Sequence, residues 1–77
     1  MYNDYRMVVK MKYLKEIRQK KGLSMQQMAN LLKISKTFYW QIETGNRRLS
    51  YGMAVKIADI FELRPDDIFL EEWKNNE

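Results

Sequence analysis

The stretch SMQQMANLLKISKTFYWQIETG, residues 24–45, decides the fold of this 77-residue chain. Ser24 stands three residues before Gln27, which is the spacing of a helical capping box. In such a box the serine side chain binds a backbone N–H group of the first helical turn, and the glutamine side chain binds the serine N–H in return. The spacing therefore predicts a helix over residues 25–32.

A second helix is predicted only about three residues later. Ser35 is its candidate N-cap, and Gly45 supplies the left-handed conformation that favours a helix end, so the helix should cover residues 36–44. The short turn makes the two helices cross closely, and the small side chain of Ala29 allows that approach. This spacing is typical of a helix-turn-helix, in which the later helix enters the DNA major groove.

Helical periodicity continues on both sides of this pair. An earlier helix is predicted to end at residues 20–22, a fourth to begin after Ser50 and cover residues 51–61, and a short fifth to begin at Pro65. The sequence thus predicts an all-α, five-helix domain. Its core is expected to include Leu14, Ile17, Met28, Leu31, Leu32, Ala54, Val55, Ile57, Ala58 and Phe61.

The two ends of the chain differ from this helical pattern. We predict an N-terminal arm or strand over residues 1–11, a helix-turn-helix domain over residues 12–70 and a C-terminal tail over residues 71–77. Residues 5–11, with sequence YRMVVKM, alternate partly between apolar and polar side chains. This pattern fits either a strand, which would need a partner, or a disordered arm.

The composition excludes several classes of site. The chain contains no cysteine and no histidine, which removes thiolate nucleophiles, imidazole bases, disulfides and the common zinc sites. We predict no metal, no cofactor and no enzymatic activity. The sequence lacks an apolar run of the roughly 20 residues that cross a bilayer, so a cytoplasmic protein without membrane contact is expected.

Charge is divided unevenly along the chain. Residues 1–56 contain 12 Lys and Arg against three acidic residues, for a net charge of +9, whereas residues 57–77 contain two basic against seven acidic residues, for −5. A basic region of this kind favours a phosphate-bearing partner, and the acidic end would be repelled by one. The same imbalance also occurs in domains where charge serves only solubility.

Several motifs occur together in a fixed order over residues 14–69: the opening LKEIRQKKGLS, an alanine in the second helix, QIETG at the end of the third, the basic loop NRR and the closing DDIF. In these motifs the sequence resembles the Cro/lambda-repressor-like helix-turn-helix regulators, also called the xenobiotic-response-element type. The resemblance implies a five-helix, lambda-repressor-like DNA-binding domain that works as a homodimer on a two-fold-symmetric operator in double-stranded DNA.

The resemblance assigns base-reading roles to Lys36, Thr37 and Gln41. Gln41 offers a donor and an acceptor that match adenine N6 and N7, and Lys36 can donate to guanine or to a phosphate. The methyl and hydroxyl groups of Thr37 can meet a thymine methyl group or a phosphate.

Three consecutive aromatic residues in the third helix are expected to have different roles. At about 100° per residue, Phe38 and Tyr39 share the core-facing quadrant, whereas Trp40 lies on the opposite side with Thr37 and Gln41. We therefore predict that Trp40 contacts DNA together with these base-reading residues. Tyr39 occupies a place that the family usually gives to Ile or Val, so its hydroxyl requires a roomier pocket or a route to the surface.

Backbone contacts are expected beside the base-reading residues, at the capped helix starts and in the basic loop. Such contacts would contribute affinity without sequence preference, and the alternative is an ordinary solvated surface. The residues expected to meet phosphates are Gln26, Ser35, Thr44, Asn46, Arg47 and Arg48.

Two further sets of residues are expected to be structural. The family pattern pairs Arg18 with Glu43, so a partly buried ion pair is implied. A cluster of apolar residues near the C-terminus is predicted to form a dimer interface, because one short helix should not bury them all; the alternative is a monomeric core. These residues are Phe61, Ile68, Phe69, Leu70 and Trp73.

The sequence predicts a sequence-specific transcriptional regulator, most simply a repressor that occupies its operator. The alternative is an antitoxin or another protein-binding module of the same fold, which an exposed apolar surface and a co-purifying partner would indicate. An enzyme is not indicated, since the sequence shows no nucleophile with a base, no metal cluster and no phosphate-binding loop.

Overall fold

The computed structural model describes residues 11–75, with side chains described to residue 70. The predicted N-terminal strand or arm therefore lies outside the described residues, apart from Met11. Within residues 11–75 all regular structure is α-helical, which confirms the all-α prediction. The five helices are α1 (Lys12–Lys20), α2 (Met25–Leu32), α3 (Lys36–Thr44), α4 (Tyr51–Ile60) and α5 (Pro65–Asn75).

Serine side chains fix the starts of the three central helices. The hydroxyl oxygens of Ser24, Ser35 and Ser50 each accept a hydrogen bond from the backbone N–H of the third helical residue, at 3.0, 3.0 and 3.1 Å. At Ser24 the box is complete, because its own N–H donates to Gln27 Oε1 at 2.7 Å. Each cap satisfies an N–H group that has no partner inside the helix, so α2, α3 and α4 begin where the sequence predicts.

The turn between α2 and α3 contains a strained residue. Lys33 ends α2 in the left-handed conformation with φ of 61°, which costs a residue with a Cβ atom about 1–2 kcal/mol. The N–H of the next residue, Ile34, donates to the carbonyl of Ala29 at 3.0 Å and closes the turn. Ala29 is fully buried, so α2 and α3 pack closely.

The core lies where the five helices meet. Helix α2 packs most extensively on α3, α4 packs on α5, and α1 contacts both α3 and α5. Tyr39 and Phe69 are the largest fully buried side chains. The buried apolar residues are Met11, Leu14, Met28, Ala29, Leu32, Tyr39, Ile42, Ala54, Ile57, Ala58, Phe61, Ile68 and Phe69.

Three predicted core residues are not fully buried, and one of them, Ile17 on α1, is half-buried. Leu31 is 56% exposed, because at about 100° per residue it lies outside the arc that Met28, Ala29 and Leu32 share. Val55 is only half-buried, since Ala54, Ile57 and Ala58 form the inner face of α4. The prediction that Leu31 belongs to the core is therefore wrong.

Helix α5 changes the expectation for the C-terminal apolar residues. It has 11 residues and continues past residue 70 to Asn75. Phe61, Ile68 and Phe69 are only 6%, 3% and 0% exposed within the single chain, because α5 packs against α4 and α1. The argument that these residues exceed what the monomer can bury is wrong, and they are not free to form a dimer interface.

Two residues of the predicted dimer surface, Leu70 and Trp73, are not among the buried residues described above. Leu70 is 42% exposed, and the side chain of Trp73 lies outside the described residues. Dimerisation itself stays a prediction. Over the described residues, no helix has both the length and the apolar character that a bilayer span requires.

Candidate nucleic-acid interface

One face of α3 points away from the core. Lys36 and Thr37 are exposed in its first turn, Trp40 is 45% exposed, and Gln41 is half-buried. Tyr39, adjacent to Trp40, is fully buried. The four residues predicted to read bases thus share the outer surface of one helix.

The side chain of Gln41 is held by a residue from the following loop. Its Oε1 accepts a hydrogen bond from Arg47 Nε at 3.0 Å. The same guanidinium lies over the ring of Phe38, with Arg47 Cζ 4.2 Å from the ring centroid. This distance is within the range of a cation–π interaction. Arg47 therefore lies back against α3 instead of extending from the loop.

Hydrogen bonds also organise the end of α3. Thr44 Oγ1 donates to the carbonyl of Trp40 at 2.8 Å and accepts from Asn46 Nδ2 at 3.1 Å. The N–H of Asn46 donates to the carbonyl of Gln41 at 2.8 Å. The Thr44 hydroxyl hydrogen is thus already used within the helix, so its role in the free chain is to hold Asn46 at the loop entrance.

Two other residues expected to meet phosphates have partners within their own elements. Ser35 uses its hydroxyl oxygen as the α3 cap, which leaves its hydrogen free to donate. Gln26 Nε2 donates to Asn30 Oδ1 at 3.0 Å, and its second N–H group remains free. Arg48 is exposed and makes no hydrogen bond or ion pair with the described part of the chain.

Exposed charge around this face is positive. Residues 17–58 contain one acidic residue, Glu43, which is only 4% exposed. The same range has seven exposed basic residues: Lys20, Lys21, Lys33, Lys36, Arg47, Arg48 and Lys56. The surface formed by α2, α3 and the following loop therefore carries positive charge without an exposed carboxylate.

Helix dipoles add to this positive field. The first turns of α2, α3 and α4 contain no acidic residue, whereas α5 begins with Asp66 and Asp67. A helix N-terminus attracts an anion through its dipole and free N–H groups. Among the five helices of the described residues, only α5 has acidic residues in its first turn.

A buried polar network holds α3 against α1. Arg18 Nε and Nη2 donate to the two carboxylate oxygens of Glu43 at 2.7 and 3.1 Å, so the two residues expected to pair are joined in a bidentate ion pair. Arg18 Nη1 also donates to the carbonyl of Leu23 at 2.8 Å. The Tyr39 hydroxyl donates to Glu43 Oε2 at 2.8 Å.

This network raises the pKa of two of its members. Burial, followed by the hydrogen bond to Glu43, raises the pKa of Tyr39 far above its ordinary value, so its hydroxyl stays a donor. The hydrogen bond to Glu43 raises the pKa of Arg18 as well. The Glu43 carboxylate accepts three side-chain hydrogen bonds. The orientation of the exposed face of α3 therefore depends on Glu43.

Comparison with known proteins identifies the family. The model of the helix-turn-helix domain family matches residues 12–72, which include all five helix starts. The chain belongs to the helix-turn-helix domain family. Within this domain the pair α2 and α3 forms the motif, and α3 occupies the position of its second helix.

Two proteins are similar to this helix-turn-helix domain. The HTH-type transcriptional regulator AnsR of Bacillus subtilis (strain 168) is 39% identical over 59 residues, which cover 77% of this chain and 51% of AnsR. The chain thus spans about half the length of that relative. The crystal structure of the clp gene regulator ClgR from Corynebacterium glutamicum has a TM-score of 0.74 at 17% identity, and the match covers 92% of this chain and 74% of that chain. That similarity shows the fold.

The structure of this helix-turn-helix domain adds two contacts that sequence reasoning missed. Tyr39 and Glu43 are four residues apart on α3, a spacing at which helical side chains meet, so their hydrogen bond had a sequence signal. The placement of Arg47 on Phe38 and Gln41 had no sequence signal, because it depends on the path of an irregular loop.

Proposed function

We propose that the chain is a sequence-specific DNA-binding transcriptional regulator that acts in the cytoplasm as a repressor. In this proposal a homodimer occupies a palindromic operator and places one α3 helix of each subunit in the major groove. Occupation of the operator would then block transcription.

The observation that supports this proposal is the combination of charge and shape on α3. The exposed face of Lys36, Thr37 and Gln41 offers hydrogen-bonding groups on a helix that fits the major groove. Residues 17–58 have seven exposed basic residues and no exposed carboxylate, and four of the seven lie between the end of α2 and the loop after α3. Positive charge supplies the affinity for phosphates, and the α3 side chains supply the choice of bases.

Each base-reading residue has a defined task in the proposal. Lys36 donates to guanine or a phosphate, Thr37 meets a thymine methyl group or a phosphate, and Gln41 hydrogen-bonds a base edge. The half-exposed indole of Trp40 packs on a thymine methyl group or sugar and donates its N–H to a phosphate.

Backbone binding is assigned to the rim of this face. Arg48 is an exposed loop cation without a hydrogen bond or ion pair in the described part of the chain, and Asn46, Gln26 and Ser35 each have a side-chain N–H or O–H group that can donate to a phosphate. Thr44 supports the loop through Asn46, at 3.1 Å.

Leu70 is the residue that supports the dimer in this proposal. It is the exposed member of the predicted C-terminal apolar set among the residues with described side chains. A second subunit would cover it. A two-fold-symmetric binding site is the expected sign of such a pair.

Selection of bound sequences from a random double-stranded DNA pool tests the whole proposal. We expect a palindromic consensus with half-sites about one helical turn apart, since each subunit places one helix in the groove. The affinity for that consensus should fall steeply with salt, with a log–log slope of about −0.9 per phosphate contact. No enrichment, or an affinity independent of salt, would contradict DNA binding; a consensus without symmetry would contradict the dimer alone.

Substitution of two surface residues should separate base reading from backbone binding. Gln41→Ala should remove base preference at one position of each half-site, because a good base contact discriminates by about 1–3 kcal/mol. Arg48→Ala should weaken binding to all sequences alike and reduce the salt slope by about 1. Equilibrium binding to the consensus and to its single-base variants measures both effects. A uniform loss from Gln41→Ala would assign it to the backbone instead.

A further inference from the structure

Arg47 and Arg48 are adjacent in the same loop but have different environments. Arg48 has no hydrogen bond or ion pair within the described part of the chain. Arg47 is also exposed, yet it contacts two side chains of α3, at 3.0 Å to Gln41 Oε1 and 4.2 Å to the Phe38 ring centroid. A loop arginine that serves only as a phosphate contact does not require this arrangement.

The hydrogen bond fixes the direction in which the Gln41 amide presents its NH2 group. A free glutamine amide can rotate so that its oxygen and nitrogen exchange places. With Oε1 accepting from Arg47 Nε, the Nε2 group must point away from the guanidinium. One lone pair of Oε1 is already used, so Gln41 offers another molecule two N–H donors and only one lone pair.

The position of the guanidinium leaves Gln41 Nε2 as the donor that can meet a base. Arg47 Cζ lies 4.2 Å from the Phe38 ring centroid, so this contact keeps the guanidinium beside the Gln41 oxygen. Guanine offers two acceptors, N7 and O6, in the major groove, whereas adenine offers an acceptor and a donor.

We propose that Arg47 is a positioning residue that determines specificity, because it orients the Gln41 amide as a donor and so directs that position toward guanine instead of adenine. This inference rests on the proposed DNA-binding function and deepens it. The role of Arg47 differs from a phosphate contact, which would strengthen binding to every sequence equally.

Arg47→Lys is the variant that tests this role. Lysine keeps the positive charge but lacks the planar group and the Nε–H donor, so it should leave the salt dependence of binding nearly unchanged. The preference for guanine at the Gln41 position, expected to be on the order of tenfold, should fall toward parity or shift to adenine. Binding to the selected site and to its three base variants at that position provides the measurement.

Two control variants complete the experiment. Arg48→Lys should change neither the base preference nor the fold, because Arg48 has no partner in the described part of the chain. In a Gln41→Ala background, Arg47→Lys should have no further effect on base preference, since its effect passes through Gln41. In the free protein, Arg47→Lys should also shift the side-chain amide resonances of Gln41, a readout that does not need DNA.

The outcomes separate this inference from the proposed function. Sequence-specific, salt-dependent binding with the same base preference in the wild-type protein and Arg47→Lys would overturn the role of Arg47 while leaving DNA binding intact. An equal loss across all four bases would make Arg47 a phosphate contact and overturn it too. Absence of DNA binding by the wild-type protein would overturn both proposals.

Discussion

Replacement of Glu43 by alanine is expected to lower the free energy of unfolding by about 3–5 kcal/mol. The substitution leaves the buried Arg18 guanidinium without its carboxylate, which now lies 2.7 Å away. It also removes the acceptor of the Tyr39 hydroxyl at 2.8 Å. Small domains have only about 5–15 kcal/mol of stability in total, so urea denaturation should show a large shift of the midpoint.

Controls distinguish the lost partners from loss of the side chain as such. Glu16→Ala removes an exposed carboxylate from α1 and should change stability by no more than about 0.5 kcal/mol. A triple variant, Arg18→Met with Tyr39→Phe and Glu43→Leu, removes the three polar side chains together and leaves only the Leu23 carbonyl without its donor. The triple variant should regain most of the stability that Glu43→Ala loses, because no charge is then left unpaired. A Glu43→Ala variant as stable as the wild-type protein would show that the network contributes little.

Neighbouring aromatic residues on α3 should give opposite results when each is replaced by alanine. Tyr39→Ala removes a fully buried ring, and large-to-small changes of this kind cost about 3–5 kcal/mol. Trp40→Ala removes a side chain that is 45% exposed, so its effect on stability should stay near 0.5 kcal/mol. Urea denaturation of the two variants measures this difference.

DNA binding should follow the reverse order. Under conditions where both variants are folded, Trp40→Ala should weaken operator binding on the order of tenfold, the value of one good base contact. Tyr39→Ala should reduce binding only to the extent that the protein unfolds. Tyr39→Phe is the matched control for the ring, since it should cost only the hydroxyl bond to a charged carboxylate, about 1.5–3 kcal/mol. Wild-type affinity in Trp40→Ala would place the indole outside the DNA contact.

The Tyr39 and Glu43 effects are expected to be non-additive. Both residues belong to one hydrogen-bonded group, and residues that share a network show interaction energies of about 0.5–3 kcal/mol. The double variant should therefore lose less stability than the two single losses combined. A strictly additive result would mean that the Tyr39 hydroxyl does not support the carboxylate.

Local sequence signals predicted the helices well. The starts of α2, α3 and α4 depend on serine caps, and a cap acts within three residues of its own position. The end of α3 depends on Gly45, which adopts φ of 83°. Since each of these interactions is local, the residues at the helix boundaries were sufficient to predict them.

Errors arose where distant elements decide burial. Helical spacing predicts that Leu31 belongs to the core. The helices that pack on α2 cover only the part of its circumference that carries Met28, Ala29 and Leu32, so Leu31 stays exposed. Phe61, Ile68 and Phe69 were assigned to a partner because α5 was expected to be short. Their burial depends on how α5 lies against α4 and α1, which no local pattern specifies.

The sequence by itself determined the five-helix order, the helix-turn-helix spacing and which face of α3 is polar, because helix period and capping act between residues close in the chain. Only the tertiary structure decided that Tyr39 donates to the Arg18–Glu43 pair and that Arg47 lies on Phe38 and Gln41. Those contacts depend on packed distances and on the path of the loop after α3. Bonds between side chains are short and directional, so their geometry is fixed only once the helices have packed.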